Sequence, residues 1–323
     1  MFLMRFDMRA PSFGAPRHEL YAAALEMAAY AETRGALVAV VCEHHRMEDG
    51  YLPSPLVMAT ALAARTTTLP IMTAALLLPL YDPVRLAEDM VVLDIISAGR
   101  VSYLMAIGYR PEEYEQHGVD FSARGRLAEE YLGVVLRAKT GDPFEYRGRR
   151  IQVTPPPHTP GGPTVLWGGG SRAAAARAGR FGLDFIAQGG PPDLADAYSE
   201  AARAAGHDPG ACIIPPRHLA TTQFVADDAD RAWEELGPHL LHDAISYAAI
   251  NPGDATTASI SHARTVDELR AEGRTHVVVS VEEAVEQIRS GQPLQLQPLV
   301  GGLAPGVAWR YLRNVTDEVM ARL

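Results

Sequence analysis

One carboxyl and two imidazoles stand in a row at Glu43-His44-His45, directly after the uncharged run Val38-Ala39-Val40-Val41-Cys42. Such a run reads as a strand buried on both faces. Polar groups at its carboxyl end lie where proteins built of βα units collect their ligands. A lone histidine there is usually a satisfied surface or core residue. A cluster of three is a candidate for proton transfer, because an imidazole with a pKa of about 6.5 can give or take a proton near neutrality. Side chains alternate along a strand, so Glu43 and His45 face one side and His44 the other. The three cannot all be ligands of one metal, and neither a His-x-His nor a His-x-x-x-His spacing occurs, so no metal site is expected.

Two further features could hold a ligand. Gly168-Gly169-Gly170-Ser171 lies between an apolar run and a helical pattern. A turn of that kind offers free backbone N–H groups and the positive end of a helix to an anion, although many glycine-rich turns only permit close packing. Arg110, Arg124 and Arg126 are candidates for the same anion, with plain surface solvation as the default alternative. Thr73-Ala74-Ala75, at the end of another apolar run, has side chains small enough for a flat ring to lie against the backbone, unless they merely answer a bulky neighbour.

These groups need a frame. Apolar runs read as eight strands at Leu3–Met8, Val38–His45, Thr68–Leu78, Val101–Ile107, Thr164–Trp167, Leu183–Ala187, His218–Val225 and Leu294–Val300. Helical periodicity fills the intervals, with Asp82 and Pro83 opening one helix and Gly99 closing it. Phe144–Val153 reads as a hairpin excursion. Residues 251–275 lack periodicity and read as a long lid insertion before the last strand. The expected fold is an α/β (β/α)8 TIM barrel forming a single domain over residues 1–323. A doubly wound sheet with a second domain is the alternative, disfavoured because no Gly-x-Gly-x-x-Gly follows the first strand.

Composition excludes several functions. The net charge is −10 with no basic run, which argues against nucleic acid and anionic membrane surfaces as partners. No apolar run is long enough to span a bilayer, and no export signal is seen. Two cysteines, Cys42 and Cys212, are too few for a disulfide framework, so a cytoplasmic location is expected. Of 29 basic residues only Lys139 is a lysine, and it sits at a helix end before Gly141-Asp142-Pro143. Schiff-base chemistry, which needs a desolvated lysine amine, is therefore not expected.

Several stretches together resemble the bacterial luciferase-like, flavin-dependent monooxygenase family. They are Glu43-His44-His45, the segment from Leu78-Pro79-Leu80-Tyr81-Asp82-Pro83 to Ser97-Ala98-Gly99-Arg100, Gly108-Tyr109-Arg110-Pro111-Glu112-Glu113-Tyr114, Trp167 to Ser171, and Pro298 to Leu303. The resemblance covers nearly the whole chain. It implies a (β/α)8 barrel with FMN at its C-terminal mouth and a homodimeric assembly. His44 matches the catalytic histidine. Ala74 and Ala75 match the residues backing the flavin ring across a non-prolyl cis peptide, and Gly169, Gly170, Ser171 and Ala174 the phosphate-binding turn. Tyr109, Arg110, Arg124 and Arg126 complete the expected cofactor-binding set, and residues 251–275 match the mobile lid. The family often has Gln and Gly where this chain has Ile95-Ile96 and Ala98, and a glycine-rich strand where it has Tyr103-Leu104-Met105, which would put bulk near the pocket.

The activity so implied is a two-component monooxygenase. A separate flavin reductase supplies reduced FMN as cosubstrate, and O2 is used through a peroxyflavin to oxygenate a small, hydrophobic organic substrate. The alternatives are a deazaflavin-dependent hydride-transfer relative and a non-catalytic flavin-binding subunit. Glu-His-His favours the FMN branch over the first, and retention of His44 argues against the second.

Overall fold

Parallel strands alternating with helices emerge where the apolar runs predict them. The structure, a computed structural model, describes residues 1–216, 219–251 and 257–323. Its strands are β1 (Phe2–Phe6), β2 (Ala36–Val41), β3 (Ile71–Leu77), β4 (Val101–Ala106), β5 (Phe144–Tyr146), β6 (Arg149–Ile151), β7 (Thr164–Gly168), β8 (Phe185–Ile186), β9 (Cys212–Ile213), β10 (Thr222–Val225), β11 (His276–Val279) and β12 (Leu294–Leu296). The principal helices are α1 (Arg17–Ala31), α2 (Pro55–Arg65), α3 (Pro83–Ser97), α4 (Pro111–Gln116), α5 (Arg124–Ala138), α6 (Arg172–Arg180), α7 (Leu194–Ala204), α8 (Ala229–Ile250), α9 (Val266–Glu272), α10 (Val281–Arg289) and α11 (Pro305–Arg313).

The chain forms two compact units. The first comprises residues 1–40, 47–53 and 216–323. Its strands run in the order β11-β10-β12-β1, all parallel, with Phe2 beside Leu294 and Thr222 beside His276. Its interior is not wholly apolar. Arg9, only 2% exposed, is clamped by Asp7 and Asp243, and Gln297 donates to both carboxylates. Two acids around one guanidinium keep a buried charge tolerable, because isolated it would be prohibitively costly. His276 joins them, its Nε2 2.6 Å from Asp243 Oδ2 and its Nδ1 2.8 Å from Thr275 Oγ1. Despite that acid, burial first and then the positive Arg5 and Arg9 push the His276 pKa down to about 3. Asp243 is already matched by Arg9, so a neutral ring donating from Nε2 satisfies the site.

The second unit comprises residues 41–46 and 54–215. Its parallel strands run β3-β4-β7-β8-β9, and β5 and β6 pair as the expected antiparallel hairpin. Phe144 and Val153 pack the hairpin region onto Ala87 and Val91 of α3 and Val134 and Ala138 of α5. The Asp82 carboxylate caps α3 by accepting from the N–H groups of Val84 and Arg85, and Pro83 occupies the first turn, where its missing N–H is not needed. At the other end Ala98 itself turns left-handed, with φ 52° and ψ 45°, before Gly99.

The structure departs from the sequence reading in several places, among them the short strand β9 and the short helix α4, which it adds. The β2 ladder stops at Val41, and residues 42–45 run on beyond it. Residues 251–275 are not uniformly aperiodic, since α9 forms there between the Thr265 cap and the left-handed Gly273. A further strand, β11, follows directly; His218 of the expected seventh strand and residues 252–256 of the expected lid lie outside the described residues. The bulk expected near the pocket is turned away in part. Ile95 and Ile96 are exposed on α3, at 42% and 45%, and the Tyr103 hydroxyl reaches outward to the Met90 carbonyl of that helix. Among the described residues no helix is long and apolar enough to cross a membrane.

Candidate active site

β3, β4 and β7 are neighbours in the second unit: Gly108-Tyr109-Arg110 follows the carboxyl end of β4, Gly168–Ser171 leaves the carboxyl end of β7, and Ala74-Ala75 lies within β3, short of its end at Leu77. The peptide between Ala74 and Ala75 is cis, and the β3–β4 register shifts just after it. Both alanines are half-buried, with only methyl groups to offer.

The segment after β2 is tied to the same edge. Glu43 accepts from the Leu77 N–H at 2.7 Å and from the Tyr81 hydroxyl at 2.7 Å. Burial, and after it the charge of Glu43, pushes the Tyr81 pKa up, so this phenol stays a donor. Glu43 Oε1 also lies 2.9 Å from His45 Nε2, and the two meet on one side of the chain as strand alternation expects. His44 turns the other way, with Nδ1 2.8 Å from Glu113 Oε1 and Nε2 3.2 Å from the Tyr109 hydroxyl.

Glu113, on α4, is fully buried. Its Oε1 takes three contacts: His44 Nδ1, the His45 N–H at 3.0 Å and Arg110 Nη1 at 3.2 Å. Burial alone would raise its pKa, but the His44 contact, the His45 N–H and Arg110 outweigh it and hold the carboxyl below the usual range. Arg110 also donates to the His45 carbonyl at 2.7 Å. The structure thus brings His44, Tyr109 and Arg110 together around an acid that nothing in the local pattern near His44 announces.

The glycine turn is built differently. Gly169 has φ 145°, and a Cβ added there would come within 2.7 Å of the Ala174 methyl, so the turn folds this tightly onto α6 only without a side chain. Gly170 and Ser171 are exposed. Ser171 caps α6 by accepting from the Ala174 N–H at 3.2 Å. The N–H groups of Arg172 and Ala173, in the first turn, have no acceptor within the helix. Exposed backbone N–H donors at the positive end of a nine-residue helix are the chemistry a phosphate requires.

The expected arginines do not gather at this turn. Arg110 is engaged at His45 and Glu113. Arg124 lies over the Phe121 ring at 3.8 Å and donates to the Phe121 carbonyl. Arg126 is solvated, 72% exposed, with Glu130 at 3.9 Å. A cation the sequence reading passed over is Arg172, at the first position of α6, 70% exposed and paired with Asp193. Its signal was available, since the first residue of a helix that follows a glycine turn is adjacent to any anion held there.

A different chemistry is suggested by Ser246, His242 and Asp49 in the first unit, and the geometry denies it. Both Asp49 Oδ2, at 2.8 Å, and Ser246 Oγ, at 3.3 Å, approach the same His242 Nε2, whereas a hydrolytic relay needs them on opposite nitrogens. Among the described residues no group of three His, Cys, Asp or Glu side chains could hold a metal ion.

Comparison with known proteins finds relatives along most of the chain. A family model described as luciferase-like monooxygenase matches residues 4–294. The 4-hydroxyprotoasukamycin monooxygenase of Streptomyces nodosus subsp. asukaensis is 26% identical over 308 residues, 91% of this chain and 80% of that protein. Against several other curated relatives, alkanal monooxygenase alpha chains, the match spans about half of their length. Among solved structures, the monooxygenase RslO1 from Streptomyces bottropensis superposes with a TM-score of 0.77 at 21% identity, covering 100% of this chain and 99% of that one. The oxygenating constituent of 3,6-diketocamphane monooxygenase from Pseudomonas putida, solved in complex with FMN, gives 0.68 at 19% identity, covering 100% and 98%.

Proposed function

Since the chain belongs to the luciferase-like monooxygenase family, we propose that it is a monooxygenase that uses reduced FMN, supplied by a separate flavin reductase, and O2 to oxygenate a small, apolar organic substrate. The observation that carries this reading is that a phosphate-type helix terminus after β7, a pair of alanines within the neighbouring β3 and a partnered histidine in the segment after β2 belong to one unit.

The residues fit FMN in kind. The backbone N–H groups of Arg172 and Ala173, beside Gly169, Gly170 and the capping Ser171, would hold the phosphate, with the Arg172 side chain within reach of it. Ala74 and Ala75 would back the ring, and Tyr109 would border it. The flavin, when bound, supplies the electrons that activate O2. The protein's part is to orient the ring, keep water out and manage a proton at His44. Four exposed side chains, Val57 on α2 and Val92, Ile95 and Ile96 on α3, give the second unit an apolar stripe. We take it as the face through which two copies pair as a homodimer.

Titration of flavin-free protein with FMN, riboflavin and a deazaflavin tests the cofactor assignment. FMN should bind about ten- to a hundred-fold tighter than riboflavin, the equivalent of roughly 1.5–3 kcal/mol for a charge-assisted phosphate contact. Equal affinity would refute the phosphate site, and preference for the deazaflavin would replace oxygenation with hydride transfer.

A further inference from the structure

We propose that Glu113 is a positioning residue for His44: it fixes the imidazole as the Nδ1–H tautomer, so that Nε2 is the nitrogen that accepts and returns the proton, with the Tyr109 hydroxyl as its immediate exchange partner. The inference rests on the proposed role of His44 in proton handling and adds the group that sets it.

The argument begins at one oxygen. Glu113 Oε1 receives the His45 backbone N–H at 3.0 Å and Arg110 Nη1 at 3.2 Å, and both of these can only donate. An oxygen so surrounded is an acceptor, and the carboxyl is fully buried next to a guanidinium that is itself only 12% exposed. The third neighbour, His44 Nδ1 at 2.8 Å, must then carry a hydrogen and donate it. In the neutral ring the lone pair is left on Nε2, and the Tyr109 hydroxyl 3.2 Å away can donate to it. Tyr109 lies in the loop after β4 and is half-buried. Free imidazole side chains favour the other tautomer, and Glu113 with Arg110 reverses that preference through the contact made at Nδ1. Arg110 secures the arrangement twice, by neutralising Glu113 and by tying the His45 carbonyl.

The test starts from flavin-free parent protein, labelled with ¹⁵N-histidine, at a pH where His44 is neutral, with His44→Gln identifying the resonance. Two-bond proton–nitrogen correlation should give Nδ1 a protonated-type shift and Nε2 an unprotonated one. The reverse pattern in the parent overturns the proposal without any other variant. In Glu113→Ala, which removes the acceptor, the tautomer population should move towards Nε2–H, and Glu113→Asp should restore the parent pattern in part; an unchanged Glu113→Ala spectrum also overturns it. In turnover, Glu113→Ala should lower kcat by about ten- to a hundred-fold with the FMN KM little changed, and Glu113→Asp should recover part of that loss. If the spectra behave as expected but kcat does not fall, Nε2 is not the working nitrogen and the proposal fails there. If His44→Ala oxygenates as well as the parent while the parent spectrum shows Nδ1–H, the proton-handling role of His44 is what has failed, and the Glu113 pairing stands alone.

Discussion

An imidazole engaged at both nitrogens, as His44 is by Glu113 and Tyr109, has little freedom to serve as packing, and its removal should be felt in chemistry more than in stability. For His44→Ala, folding and flavin affinity should stay near the parent values, because the ring lies beyond the β2 ladder and outside the apolar core. Turnover should drop by about 10² to 10⁴, the usual worth of a positioned acid or base. The measurement is product formed per reduced flavin consumed, with hydrogen peroxide followed alongside, since oxidant that no longer reaches substrate is lost as peroxide. Parent-like coupling would remove His44 from the mechanism and direct attention to the Glu43–His45 pair. At this scale the sequence is informative about one partner only. Glu-His-His at the end of an apolar run is visible without a structure. Glu113 is not, because it comes to His44 from 69 positions away and sits in a short acidic helix whose carboxylates look like ordinary solvated charge.

Helices and strands were legible where one period dominated and obscure where two signals overlapped. The Asp82-Pro83 opening of α3 and the hairpin at Phe144 could be read directly. The strand β11 could have been read too, from Val277-Val278-Val279, but the polar, glycine-containing stretch before it masked the boundary. The same stretch hid α9, whose Thr265 cap with Glu268 three residues on and Gly273 stop form a complete local signature. The direction in which Tyr103 points was beyond the sequence, since strand parity gives sides but not which side faces the helices. Two predictions belong to α3. Ala98 holds a left-handed conformation that costs an L-residue about 1–2 kcal/mol, part of which a glycine returns through its looser unfolded chain. Ala98→Gly should therefore raise stability by about 0.5–1 kcal/mol in urea unfolding, and a destabilised variant would mean the methyl makes a contact worth more than the strain. The stripe of Val92, Ile95 and Ile96 recurs at helical spacing on one exposed face. Ile95→Glu combined with Ile96→Glu should convert a dimer to a folded monomer in sedimentation, and a parent chain that sediments as a monomer would dismiss the pairing face.

Across the whole chain, acid should act earlier than the carboxylates alone would predict. The His276 pKa is held at about 3 against an ordinary 6.5, first by burial and then by Arg5 and Arg9, and His239 is lowered too, mainly by burial. When the folded pKa lies below the unfolded one, the unfolded chain binds the proton first. Stability is then complete above the unfolded value of 6.5 and declines as pH falls towards the folded value of about 3. The slope approaches about 1.4 kcal/mol per pH unit for one such proton. Glu113 and Asp49, both lowered below their ordinary 4.5 and 3.8 despite burial, add a second loss only below those values. Urea midpoints followed from pH 7.5 to 4 should begin to fall near 6.5, and His276→Gln should flatten that first limb; a flat parent profile down to pH 5 would contradict a neutral buried imidazole. A last consequence follows from the one lysine. Lys139 is half-buried just past the end of α5 with its Nζ donating to the Gly161 carbonyl, and burial lowers its pKa. The helix of 15 residues that precedes it is about 22 Å long and begins at Arg124, at the end nearer Tyr109 and Arg110 in the chain. Apart from the chain's amino terminus, an amine-reactive linker therefore has a single attachment point, and the molecule can be tethered to a bead or an electrode in one orientation with its strand-end chemistry left unmodified.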